Sequence, residues 1–138
     1  MAIDARPAEQ DQAIIRSEDV IRLIDQELLN DVKTAITTRG LETGPWRHFT
    51  LYLRIKSAGT PTTVQFIVEF LEPVSGKWHI YKQDLFASFF WEDQDTATEQ
   101  DECFSGDCAG RDMRLRVLGV GTTASATFTI SAAVEFWN

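Results

Sequence analysis

The sequence predicts an all-β fold, an antiparallel β-sandwich of jelly-roll or immunoglobulin-like type with an extended N-terminal arm. Three observations predict it. Apolar and polar residues alternate with the period of two that puts one face of a strand into a core. Gly, Pro and Ser interrupt these stretches at roughly the 8–12-residue spacing of a sandwich. No helical crossover of the kind that links parallel strands separates them.

Residues 1–16 are mostly polar, with a proline and scattered apolar side chains, and cannot form a core of their own. They read as an arm, with 17–138 as a single sandwich domain. Ile3, Ile14 and Ile15 are the apolar groups with which the arm would dock on a partner.

Residues 17–29 are ambiguous. Ser17, Glu18 and Asp19 resemble a helix cap with acids in the first turn, and Val20, Ile21, Ile24, Leu28, Val32 and Ala35 would share a helical face. The alternative breaks the segment near Asn30-Asp31 and makes 32–38, rich in Thr, a strand. The strand is preferred for 32–38, and 18–29 stays open.

Beyond Gly40 the pattern is plain. Phe49, Leu51, Leu53 and Ile55 alternate with Thr50, Tyr52, Arg54 and Lys56, and a turn follows at Ser57–Pro61. Val64, Phe66, Val68 and Phe70 then alternate with Thr63, Gln65, Ile67 and Glu69 before a second turn at Glu72–Lys77. Trp78–Lys82, Ser88–Trp91 and Met113–Leu118 give three more strands. Thr127–Trp137 gives the last, with Phe128, Ile130, Ala132, Val134 and Phe136 inward, and Gly119 and Gly121 mark the bend before it. The expected core is Leu51, Leu53, Phe66, Val68, Leu115, Val117, Ile130 and Val134.

Charge bounds the function. The net charge is −8, with 11 acids against 10 bases in residues 1–83 but 10 against 3 in 84–138. Residues 92–107 hold seven acids and no Lys or Arg, which repels a phosphate backbone and argues against nucleic-acid binding. That stretch is expected to be a solvated loop. Asp93 and Asp95 lack the Gly and closing Glu of an EF-hand, so no metal or other cofactor is expected. No apolar run approaches the roughly 20 residues that span a bilayer, so no membrane is expected either. The opening residues lack a signal-peptide core, which points to synthesis and use in a cytoplasm.

Catalytic signatures are missing. His48 and His79 have no nucleophile with turn chemistry beside them, and there is no Gly-x-Ser-x-Gly, phosphate loop or His-x-x-x-His. The chain is therefore expected not to be an enzyme. Cys103 and Cys108 flank Phe-Ser-Gly-Asp, which reads as a short hairpin loop across which a disulfide could form. Acidic neighbours argue against a reactive thiolate there, and no further ligand completes a zinc site. The aromatics Trp46, Trp78, Phe89, Phe90, Trp91 and Trp137 could build a stacking platform for a sugar, or pack in the core and against other chains. Packing is preferred, with Trp46, Phe90 and Trp137 as partner-binding candidates.

The stretches Gly59–Phe66 and Glu69-Phe-Leu-Glu-Pro-Val-Ser-Gly-Lys-Trp78 resemble small tailed-bacteriophage virion proteins, in which a strand runs into an Asp-Pro-Val-Ser-Gly-Lys turn and an aromatic; here Glu72 replaces the Asp. Residues 28–38, 110–119 and 127–134 are similar to that family's opening and closing strands. The resemblance implies a non-enzymatic structural protein of the virion, assembled in the host cytoplasm. Its partner would be the major capsid protein or another virion protein, in the manner of a head decoration or cement protein, and it would be a homo-oligomer. The alternative is a carbohydrate-binding sandwich module on a tail or baseplate.

Overall fold

In a computed structural model, residues 20–81, the backbone of 89–92 and residues 99–138 are described. They form an antiparallel β-sandwich with no helix among them. The strands are β1 (Val20–Leu29), β2 (Ala35–Thr37), β3 (Leu41–Glu42), β4 (His48–Ala58), β5 (Thr63–Glu72), β6 (Lys77–Ile80), β7 (Phe89–Glu92), β8 (Glu99–Asp107), β9 (Asp112–Val120) and β10 (Thr127–Trp137). One sheet has the order β1-β10-β4-β8; the other runs β2-β9-β5-β6, with β3 also on β9 and β7 also on β5.

The core lies between the sheets, and alternation places it there. Leu51, Leu53, Phe66, Val68, Leu115, Val117, Ile130 and Val134 are all buried, as the period of two requires. Phe49, Ile55, Val64, Phe70, Met113, Phe128 and Phe136 complete the same interior. At one end Phe49, Phe70 and Tyr81 meet with ring centroids 5.4–6.0 Å apart. Gly106 lies against Phe49 there, where a Cβ would come within 2.9 Å of the ring.

Several boundaries differ from expectation. Residues 20–29 are a strand: Ile24 and Leu29 reach the core while β1 runs antiparallel to β10. The strand expected at 32–38 shrinks to Ala35–Thr37, because the Asn30 side-chain oxygen accepts from the amides of Val32 and Lys33 and closes a turn. The strand expected at Trp78–Lys82 is β6, which runs Lys77–Ile80.

The largest correction concerns the acidic stretch. Its second half, Glu99–Asp107, is not a loop but strand β8, paired along its length with β4. The counter-charges absent from local sequence come from that neighbour: Arg54 stands opposite Asp101 and Lys56 opposite Glu99. The hairpin expected at Ser105-Gly106 therefore does not exist. Cys103 and Cys108, five residues apart on or just past an extended strand, are separated by roughly 16 Å at about 3.3 Å per residue, beyond disulfide reach. Both are free.

The outward side of β5 also departs from simple alternation. Ile67 and Glu69 are buried although they point away from the core; Glu69 is covered by Arg114 and Arg116, which reach it from β9.

Candidate functional site

The outer face of the four-stranded sheet carries rows of hydrogen-bonded polar side chains. On β4 the outward residues are His48, Thr50, Tyr52, Arg54 and Lys56; on β8 they are Glu99, Asp101, Cys103, Ser105 and Asp107; on β10 they are Thr129, Ser131, Ala133, Glu135 and Trp137. Register pairs them in rows. His48 Nδ1 lies 3.0 Å from Asp107, and its ring stacks on Trp137 with centroids 4.5 Å apart. Trp137 Nε1 donates to the Thr50 hydroxyl at 2.9 Å, which itself bonds Ser105 Oγ at 2.9 Å. Tyr52 donates its hydroxyl to Glu135 at 3.1 Å. Arg54 makes a two-pronged pair with Asp101 at 2.8 and 3.1 Å. That guanidinium, by hydrogen bonding first and charge second, holds the Asp101 carboxyl below its ordinary range.

The lower rows open into a groove of about 640 Å³, within the range of small-molecule sites. Tyr52, Arg54, Asp101, Ser131, Ala133 and Gln26 are among its lining. Its β1 wall is shaped by a bulge: the register with β10 slips between Ile24 and Glu27, Gln26 takes φ +50°, and its amide bonds Ser131 Oγ at 3.1 Å. Bulges of this kind re-aim side chains beside sites. The groove's ionic lining is nearly balanced, with Arg22, Arg54 and Lys56 against Asp25, Glu99, Asp101 and Glu102. Tyr52 remains 41% exposed and so presents an aromatic side chain to solvent among hydrogen-bonding groups.

The predicted partner residues fare differently. Trp137 joins this face through its bonds to Thr50 and His48. Trp46 is half-buried and packs against the core cluster. The backbone of Phe90 pairs with Gln65, while its side chain lies outside the described residues, as do Ile3, Ile14 and Ile15, and Asp93 and Asp95. His79 is exposed on β6. Among the described residues no cluster of three or more His, Cys, Asp or Glu side chains could hold a metal ion. Tyr52, Gln26 and Ser131 were not singled out by sequence. The available signal was the polar half of the β4 alternation, together with the matching alternation of Glu99, Asp101, Cys103, Ser105 and Asp107.

The two thiols should react very differently. Burial, and secondarily Asp107, pushes the Cys108 thiol up to about 11, leaving roughly one thiolate in a thousand at pH 8. Cys103 is exposed. With the native protein, a disulfide-exchange reagent at pH 8 should titrate one thiol quickly and the second far more slowly, with full reaction restored on unfolding; two equal fast phases would contradict the partial burial of Cys108.

No protein-family model matches the chain, and no curated protein matches it. Solved structures do. A carbohydrate-binding module of family 28, specific for non-crystalline cellulose, superposes with a TM-score of 0.51 at 12% identity, covering 83% of this chain and 73% of that one. Murine APRIL gives 0.46 at 9% identity over 84% and 97% of the two chains. A family 16 carbohydrate-binding module gives 0.43 at 14% identity over 81% of each. At such identities the first likeness is one of fold, an antiparallel β-sandwich.

Proposed function

We propose that the chain is a non-catalytic binding module that takes a neutral carbohydrate along the groove on the outer face of the β1-β10-β4-β8 sheet. The observation that carries this is the groove itself: a half-exposed Tyr52 ring beside side chains already fixed by their own partners. Sugars offer an apolar C–H face and a rim of hydroxyls, which an aromatic surface and pre-oriented polar groups match. Because Arg54 and Asp101 hold each other in place, less side-chain freedom is lost on binding. The near balance of charge suits an uncharged ligand better than a phosphorylated one. A cellulose-binding module shows that this fold can serve such a task, though the site and not the fold carries the reading.

Affinity electrophoresis against hydroxyethylcellulose, xylan, mixed-linkage β-glucan, mannan and soluble starch tests it. At least one polymer should retard the protein, and Tyr52→Ala should weaken that retardation by about tenfold or more, the order of one lost stacking contact plus its hydrogen bond, while thermal melting stays close to wild type. Retardation by none, or an undiminished Tyr52→Ala, would sink the proposal.

A second reading is attachment to a phage head as a decoration protein. It is supported by the resemblance of the Glu72–Lys77 turn and by Val74 at that turn's tip, which is 93% exposed. In that case Tyr52→Ala would leave attachment to phage heads intact.

A further inference from the structure

The other sheet carries a separate polar cluster on its own outer face. Glu69 on β5 is only 5% exposed, and a carboxylate so far from water requires charged partners. Two are supplied by β9: Arg114 Nε donates to Oε1 at 2.7 Å and Arg116 Nε to Oε2 at 3.0 Å. The two arginines are neighbours on one side of a strand, so their Cα atoms stand roughly 6.6 Å apart. Arg114 is held further by Trp78, its guanidinium carbon 4.3 Å from the ring centroid.

This geometry leaves something over. Within the three-residue cluster one guanidinium neutralises Glu69, and the second leaves its charge uncompensated by any ion pair of its own among the described residues. Each arginine uses its Nε on Glu69, and the terminal Nη nitrogens of both have no acceptor among the described residues. Their side chains are 26% and 31% exposed, so those nitrogens can be reached from solvent. Asp112 and Glu42, a cross-strand pair further along the same face, form no ion pair with either arginine among the described residues. The result is a pair of planar donor forks, braced from beneath by a buried carboxylate and from one side by an indole.

We infer that Arg114 and Arg116 form a binding site for an oxoanion: a carboxylate, sulfate or phosphate group. Guanidinium forks match the spacing of such oxygens, and bracing removes the rotamer freedom that makes ordinary surface arginines weak. The site lies across the sandwich from the groove and does not depend on it; either can fail while the other stands.

The test is nuclear magnetic resonance on the full chain, following the arginine Nε–Hε and tryptophan indole signals. Sodium acetate, sulfate and phosphate are each titrated at constant ionic strength against chloride, which separates the three sources of oxoanion. At least one should give saturable shifts centred on Arg114, Arg116 and Trp78. Arg116→Lys, which keeps the charge and removes the fork, should weaken binding by about tenfold or more with little change in melting. If Arg116→Lys fails to fold, Arg114→Lys and the location of the wild-type shifts decide. Shifts no larger than those of chloride, shifts of equal size at Arg22 and Arg54, or undiminished binding in the folded lysine variant would overturn the site.

Discussion

Phe66→Ala is expected to lower the free energy of unfolding by about 3–5 kcal/mol, the range for truncating a buried aromatic. Phe66 is 3% exposed at the middle of β5, opposite Val117 of β9. Because β5 lies between other strands, the surrounding backbone is tied on both sides and cannot collapse into the void. Denaturant unfolding should show a lower midpoint with an unchanged slope. Gln65→Ala, one residue away on the opposite face and only half-buried, should stay within about 0.5 kcal/mol. Equal losses at the two positions would mean that the register described for β5 is wrong.

The second large effect is expected at Gly59. Its φ of +73° is left-handed, which costs an L residue roughly 1–2 kcal/mol by itself. A Cβ there would also collide with the Ser125 carbonyl oxygen and sit 3.0 Å from Ala126 Cα. Here the turn after β4 presses against the turn before β10, and backbone cannot swing aside as a side chain could. Gly59→Ala should therefore cost well above the conformational term alone. Gly76 has the same φ of +73° with nothing within 4 Å of its would-be Cβ, so Gly76→Ala isolates the conformational part. If the two variants melt together, the turn–turn contact at Gly59 is looser than described.

The core was legible because alternation is a local property: on β4, β5, β9 and β10 every residue expected inward is buried. The acidic stretch misled because its compensation is not local. Arg54 and Lys56 lie more than 40 positions from Asp101 and Glu99 in sequence, and only strand pairing brings them together. The same holds for Glu69, whose alternation suggested a solvent-facing acid until Arg114 and Arg116 arrived from β9. Tyr52 showed in the sequence as an outward strand residue and nothing more. Its meaning depends on Glu135 from β10 and on the β1 bulge at Gln26, neither of which has a one-dimensional signature. In both outer faces, sequence identified which residues point away from the core but not which strand would answer them.

The pairing of β1 with β10 also governs the order in which this molecule can be built. β10 is the central strand joining β1 to β4, so the sheet that bears the groove has no continuous backbone until the final strand is in place. During synthesis β1 leaves the ribosome early and has no partner in its sheet until β10 is made, whereas β4 can pair with β8 before then. The other sheet can pair β5 with β6 at once through a short hairpin and take β9 before β10 appears. Such long closures are slow because chain entropy is lost before the contacts form. The β1 wall of the groove thus joins the β4-β8 half only when β10 is in place, and the nascent chain is most exposed to misassembly before then.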